Sequence, residues 1–591
     1  MPDHPTAPAK RALGLAVAAA VLGAGSLFYR RLLPGPAPAP AERPRPGAPF
    51  SLVEDSARAG LVFKNEEFVP APALANVAPW LGSIGAGVAV ADVDGDGRPD
   101  VFVTNNRLGS KSALFMNQGN GTFKDEAARA GLADVSEGEA ALRPLFFDWD
   151  NDGRPDLLLT TTWCARAFHN EGGGRFREVP DAAGIHFCGY AVASAAIDYD
   201  GDGLLDVVIA GYFPPVRFTH PRSTRVMQES NTNADNGGEI AVFHNDGGGR
   251  FHRAPGDLGL KGGRWTLAIG VWDFDGDGRP DLYLATDYSQ DRAYLNLGGG
   301  RLRDVSSTLA SQYSRHGMNA DFADVEGDGR TSVFVTHVYE PPYQFGLNTL
   351  WTFRQDGSGF TERPDALGAG NCGWAWGAKF VDLDLDGRPD LAVTAGYISA
   401  DPKKSYWYDI ANIMQSDSLV IADARNWPPM AGYSLAGYEP KCVFRNIGGR
   451  FLPVSVEAGV AGDLSDGRAV AVIEARGDGR QDLVFVNQGQ PLRYYRDVPP
   501  PENGWIGFRL RGTRSNRDAW GSKVTVRLPG RTLTRQLQPA NGFMSQSDPQ
   551  LVFGLGPSPR VLDVRVRWPA GADQDLGPLS PGRRYDLTEP R

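Results

Sequence analysis

DVDGDGRPD at Asp92–Asp100 returns as DWDNDGRPD at Asp148–Asp156, DYDGDGLLD at Asp198–Asp206, DFDGDGRPD at Asp273–Asp281 and DLDLDGRPD at Asp382–Asp390. DVEGDGRTS (Asp324–Ser332) and EARGDGRQD (Glu474–Asp482) are degenerate copies, so in chain order there are loops 1 to 7, with loops 5 and 7 the aberrant ones. Each copy follows an apolar stretch such as GVAVA or AVASAAI and precedes a short run of β-formers such as VFVT, LLLT, VVIA or LYLA. Strand, acidic hairpin, strand is the reading that fits. A glycine-centred hairpin comes next: LFMNQGNGTFKDEAARAGL from Leu114, AFHNEGGGRFREVPDAAGI from Ala167, VFHNDGGGRFHRAPGDLGL from Val242 and AYLNLGGGRLRDVSS from Ala293. One repeat is therefore four antiparallel strands, and a period of this length decides the architecture.

Seven four-stranded units predict an all-β chain whose main body, residues 50–498, is a seven-bladed β-propeller. The ends of the array support closure. The seventh repeat runs past Tyr494 and Tyr495 into prolines without its own terminal segment, and LVEDSARAGL (Leu52–Leu61) matches FKDEAARAGL (Phe123–Leu132) from the first repeat. Residues 50–65 are expected to supply the outer strand of the last blade. An open solenoid of stacked hairpins is the rival, and it would need no such exchange.

The loops have the chemistry of a hard cation. Calcium takes six to eight oxygen ligands, and an EF-hand loop supplies them from positions 1, 3 and 5, with glycine at 6 for the turn. Loop 1 places Asp92, Asp94 and Asp96 at those positions and Asp100 at position 9. The same four places are held by Asp148, Asp150, Asp152 and Asp156; by Asp198, Asp200, Asp202 and Asp206; by Asp273, Asp275, Asp277 and Asp281; and by Asp382, Asp384, Asp386 and Asp390. Solvated acidic turns are the bland alternative, since Asp and Gly favour turns anyway, but five loops of one spacing speak against it. About five Ca2+ sites are expected. Loop 5, with Asp324, Glu326 and Asp328 but Ser332 at position 9, is expected to bind weakly or not at all. In loop 7, Arg476 stands where position 3 needs a carboxylate, and its guanidinium is expected to take the cation's place.

These loops resemble the FG-GAP/VCBS repeats of integrin α-subunit propellers. The segment from Asn503 to Pro569, with NGWIGFRLRGTRSNRDAWGSKVTV, FMSQSDPQLVFGLG and VRVRWPAG, resembles the ASPIC/UnbV domain. The two in this order resemble the cartilage acidic protein family and its bacterial relatives. The resemblance implies an exported calcium-binding propeller with a small C-terminal β-domain, and supplies no biochemical activity. Read from its own residues, 503–591 alternates in short runs such as KVTVRL and VLDVRVRW between Gly, Pro and Asn turns, an all-β module with Phe553, Leu555 and Trp568 as core. Ser515, Asn516, Arg517 and Gly521 form a tight polar turn, read as structural.

The remaining composition narrows the class. The chain has 591 residues, 70 acidic against 60 basic, for a formal charge of −10. That sign argues against nucleic acid as a main partner. Lys10 and Arg11 precede an uncharged run, 12–29, followed by Arg30 and Arg31. Residues 1–33 thus read as a signal peptide or signal anchor, and the proline-rich 34–49 as an extended linker. Location in the envelope, periplasm or outside the cell follows, with membrane contact only through that segment. An even set of four cysteines in an exported chain permits disulfides. Proximity favours Cys164 with Cys188, between adjacent blades, and Cys372 with Cys442, within one.

Two long insertions, about 212–240 and 397–440, fall between the second and third strands of their repeats. Their aromatics and arginines have the composition of a recognition surface, so Tyr212, Phe213, Asp287, His337, Tyr339, Tyr397 and Trp407 mark a candidate face for an unknown protein or glycan; packing of the two insertions on each other as a lid is the alternative. Asn105 and Asn487 at the ends of second strands point the same way. An enzyme would have to work in the central channel. No HExxH, CxxC or GxSxG motif occurs, and His337 with nearby Glu340 is the only general-base candidate. The expected function is a non-enzymatic binding or adhesion scaffold, with an enzyme or biosynthetic accessory protein using the channel as the alternative.

Overall fold

The structure, a computed structural model, describes residues 50–309, 316–363, 368–500, 502–557 and 559–591. The export segment and the proline-rich linker read from the sequence lie outside the described residues. Among the described residues, no helix is long and apolar enough to cross a membrane.

The four-strand unit recurs as read. In the second repeat, Ala141–Phe147, Asp156–Thr161, Arg166–Gly172 and Arg175–Glu178 pair in sequence order, each antiparallel to the next. The first two strands are buried throughout, which accounts for their unbroken apolar runs. The outermost alternates and shows one face to water. Among the described residues, sheets of this order recur along the chain and give a β-propeller-like fold. Apolar clusters lie between successive sheets; one joins Phe102 and Leu114 to Phe146 and Leu157, another Val208 and Val242 to Ile269 and Leu284.

Closure follows the expected exchange. Ser51–Glu54 pairs antiparallel with Arg493–Val498, with Leu52 opposite Asp497, and completes the last sheet. The turn after it repeats too. Helix Ser56–Ala59 ends at Gly60, φ 80°, and helix Ala127–Ala130 ends at Gly131, φ 81°. Both are left-handed C-caps that only glycine takes without strain. First and last sheets are also stitched by Asn117, whose Nδ2 donates to the Ala475 carbonyl at 3.0 Å.

Residues 503–591 form two sheets, Leu551–Pro557 with Asn503–Arg511 and Arg584–Thr588, and a four-stranded sheet centred on Lys523–Leu528 and Asp563–Arg567. Phe553, Leu555 and Trp568 are buried as expected. Their cluster continues into Leu145, Trp149 and Phe251 of the second and third sheets, so the module and the repeats share one core. Cys164 is bonded to Cys188 and Cys372 to Cys442, the pairing that proximity favours.

Candidate metal centres

Each acidic loop is organised by its first and last carboxylates. In loop 1, Asp92 accepts the Gly95 and Gly97 amides at 2.9 and 2.8 Å. Asp100 accepts Val93 N at 3.1 Å with one oxygen and Asn117 N at 2.8 Å with the other. Gly97 has φ 86°, and in loop 2 Asn151 takes the left-handed place, φ 59°, that Gly95 holds in loop 1. The position 9 carboxylates are almost fully buried. Burial pushes Asp100 up to about 8, Asp156 to about 9 and Asp206 to about 8, and drives Asp281 and Asp390 well above the carboxylate range. Asp148 rises to about 7, from burial and then from the neighbouring Asp518 carboxylate. Four carboxylates so placed do not all ionise without a cation among them.

The donor sets fit a divalent ion. Ligand atoms of Asp92, Asp94 and Asp96 lie within 4.8 Å of one another, as do those of Asp148, Asp150 and Asp156 and those of Asp198, Asp200 and Asp202. In loop 2 the Asp156 Oδ2 is buried and has no hydrogen-bond partner, an orphan acceptor that a cation would satisfy.

Other loops already hold cations from the protein. In loop 7, Arg476 lies between Asp482, at 2.6 Å, and Asp478, at 3.1 Å, in the place expected for it. In loop 5, Glu326 pairs with Arg330 and Arg363. Loops 4 and 6 differ from the uniform set read from the sequence. Lys523 reaches Asp273 at 2.7 Å, Arg535 reaches Asp382 at 2.8 Å, and Arg445 reaches Asp384 at 2.7 Å. Two of these three come from the C-terminal module, so sequence repetition within the loops could not reveal them.

The module covers the acidic face. Arg509 donates to the Gly97 carbonyl of loop 1, and the Asn516–Arg517 turn rests on loop 2, where Arg517 N donates to Asn151 Oδ1 at 2.9 Å. Trp505 lies over Gly479 of loop 7. From the module a finger, residues 538–548, enters the propeller axis. Asn541 exchanges two hydrogen bonds with the backbone of Val271, Arg143 and Lys379 donate to finger carbonyls, and Ser545–Gln546 adds in parallel to the innermost strand of the first sheet, Val88–Ala91. Phe543 and Met544 are fully buried there.

The opposite mouth is filled as well. Helix Ala78–Gly82 puts Trp80 against Trp374, Tyr397 and Trp427 with ring centroids 6.0, 5.2 and 5.7 Å apart. Trp376 stacks on toward Phe543 at 5.2 Å. Buried Arg468 lies 4.6 Å over the Trp376 ring and donates to the Ser83 carbonyl. The axis is thus a packed core.

This placement corrects the candidate ligand face. Tyr212, Phe213, Tyr397 and Trp407 are buried, because the two insertions pack on each other and on the segment before Trp80; Met227 N donates to Ala422 O, and Ala424 N to Thr224 O. Tyr339 is half-buried. Asn105 and Asn487 each donate to a local loop carbonyl. Asp287 and His337 do not converge in a pocket. Asp287 accepts from Tyr212 at 2.7 Å and pairs with His316 Nδ1 at 2.8 Å, a buried chain the sequence reading missed because His316 is no part of the repeat. His337 is wholly buried, bonded to Thr349 Oγ1 at 3.1 Å, and burial holds its pKa down to about 3. A base so weak does not serve near neutral pH.

A propeller-like array of acidic-hairpin repeats, capped on its acidic face by a β-module, defines the class, and comparison with known proteins agrees. The model for FG-GAP-like repeats matches residues 92–159, 148–209, 232–284 and 273–335, and that for ASPIC and UnbV matches 512–591. The chain carries FG-GAP-like repeats followed by an ASPIC/UnbV domain, and it is homologous to cartilage acidic protein 1. It is 28% identical over 270 residues to that protein from Mus musculus, a match covering 36% of this chain and 40% of the mouse protein. The Homo sapiens protein matches at the same identity over the same length, 39% of it covered. The match thus spans about two fifths of these relatives. Among solved structures, that of an Agrocybe aegerita lectin recognising non-reducing terminal N-acetylglucosamine is 17% identical and covers 70% of this chain and 93% of its own, at a TM-score of 0.37, too low to carry an argument.

Proposed function

We propose that the protein is an exported, seven-bladed propeller that binds calcium through its acidic loops and serves as a non-enzymatic scaffold for a protein or glycan partner. The packed axis carries the scaffold reading. An enzyme of the channel type needs an open axis with polar groups converging in it, and here Phe543, Trp376 and Trp80 occupy that line. Two disulfides support export, since such bonds persist in oxidising compartments. The partner surface is assigned to the outward side of the second insertion, where Tyr408 is 70% and Leu419 64% exposed, outside the buried aromatics.

Divalent ions are assigned first to loops 1, 2 and 3, where all four Asp positions are kept and the one cation of the C-terminal module beside a first Asp, Arg509 at Asp92, stands off at 3.8 Å. Loops 4 and 6 are weaker, because Lys523 and Arg535 compete for their first Asp. Calorimetric titration of stripped protein with Ca2+, paired with melting in chelator, tests this. About three strong equivalents and a lower melting temperature in chelator are expected. Absence of heat together with unchanged melting refutes the calcium reading.

A further inference from the structure

Five of the seven third strands carry the same asparagine: Asn117, Asn170, Asn245, Asn296 and Asn446. In each, the backbone N–H donates to the position 9 Asp of its own loop. The residue just before it varies: Met116, His169, His244, Leu295 and Arg445. At loop 6 that residue is the guanidinium paired with the position 3 Asp384. At loops 2 and 3 the same place brings an imidazole to the carboxylates.

The distances are those of co-ligands. His169 Nδ1 lies 2.9 Å from Asp156 Oδ1 and 3.9 Å from Asp150 Oδ2. His244 Nδ1 lies 3.1 Å from Asp206 Oδ1 and 3.6 Å from Asp200 Oδ2. Two donors held about 2.1 Å from one ion stand about 3.0 Å apart at right angles and about 4.2 Å apart when opposite. The four separations, 2.9 to 3.9 Å, lie close to or between these values. Asp150, Asp152 and His169 form one group with ligand atoms within 4.8 Å, and Asp200, Asp206 and His244 form another. At loop 2 the Asp156 Oδ2, on a side chain 1% exposed, is a buried acceptor with no hydrogen-bond partner, and at loop 3 His244 Nδ1 lies beside Asp206 without a well-formed hydrogen bond.

We propose that loops 2 and 3, which can take Ca2+ when it is the only divalent ion offered, are mixed imidazole–carboxylate sites that prefer a first-row transition divalent ion, unlike the all-oxygen loop 1. The inference rests on the divalent reading of the loops given above. Calcium prefers oxygen and gains little from a nitrogen donor, whereas imidazole suits Zn2+, Co2+ or Ni2+. A single residue in the third strand thus biases its loop: imidazole toward a transition ion, an apolar side chain toward an all-oxygen set, guanidinium toward competition with any cation.

The test is titration of stripped, full-length protein with Co2+ in excess Ca2+, read by d–d absorption and by bound metal. About two equivalents with nitrogen-ligand bands are expected. His169→Gln and His244→Gln should each remove one equivalent, and the double variant should bind Co2+ at least about tenfold more weakly while keeping its Ca2+ heat and its melting temperature in Ca2+. Displacement of all Co2+ by Ca2+ from the parent, or equal Co2+ affinity in the double variant, overturns the inference. Ca2+ heat present with no histidine-dependent Co2+ band sinks this inference alone, whereas silence toward both metals sinks the divalent reading itself.

Discussion

Loop 7 offers the most direct test of whether a cation is what holds these hairpins. Asp482 is fully buried, and its Oδ2 is held by Arg476 Nη1 at 2.6 Å and by the Tyr494 hydroxyl. Burial raises Asp482 to about 6 although the guanidinium pulls the other way. Truncation in Arg476→Ala leaves a buried carboxylate with only neutral partners, the Tyr494 hydroxyl and the Asp497 amide. Removing one member of a buried pair costs about 3–5 kcal/mol. Protonation of Asp482 at neutral pH relieves part of that, so about 3 kcal/mol is expected. Arg476→Asp instead restores the position 3 carboxylate beside Glu474, Asp478 and Asp482. That variant should be the less stable of the two in chelator and should gain one calcium equivalent over the parent. Denaturant unfolding with and without Ca2+, together with calorimetric counting, separates the two variants. If Arg476→Ala unfolds as the parent does, or if Arg476→Asp gains no calcium while loop 1 binds it, the cation-replacement argument fails.

Phe543→Ala should cost about 3–5 kcal/mol, because a fully buried ring that bridges the finger to Trp376 is lost and the surrounding sheets cannot collapse onto the axis; unfolding by denaturant at unchanged calcium stoichiometry checks it. His337 should make the protein acid-sensitive. Its folded pKa of about 3 lies below the ordinary 6.5, so the unfolded chain binds the proton first; this contribution is whole above pH 6.5 and is lost as pH falls toward 3, at up to about 1.4 kcal/mol per unit. The pH dependence of unfolding in His337→Gln should be flatter across that window.

What the sequence made legible was whatever lies within one repeat. The Asp spacing and the glycine turns depend on neighbours less than about a repeat apart, and the match of residues 52–61 to 123–132, a copy of one repeat's end at the start of the array, exposed the distant pairing of Ser51–Glu54 with Arg493–Val498. The finger was not legible. Its stretch PANGFMSQSD reads as an ordinary polar turn, and the groups that fix it, Arg143, Asn319 and Val271, stand hundreds of residues away. The aromatic insertions misled for a related reason. Tyr and Trp beside Arg are the composition of an interface, but they are equally the composition of a buried contact, and only the fold puts Tyr212, Tyr397 and Trp427 under the lid.

The residue ahead of the third-strand asparagine shows how the two kinds of information combine. Met116, His169, His244, Leu295 and Arg445 form an unremarked column in the repeat, because nothing in the linear pattern ties them to loops 13 or more residues upstream. The register does. With Asp156 N-terminal in its strand and Leu157 opposite Phe168, His169 must fall beside the position 9 carboxylate, and its imidazole reaches the loop without any change in the backbone. A repeat fold can therefore vary the chemistry of each loop by one substitution outside it, leaving the hairpin, its glycine turn and the sheet untouched. At loop 6 that one substitution sets Arg445 against Asp384, and at loops 2 and 3 it sets an imidazole among the carboxylates.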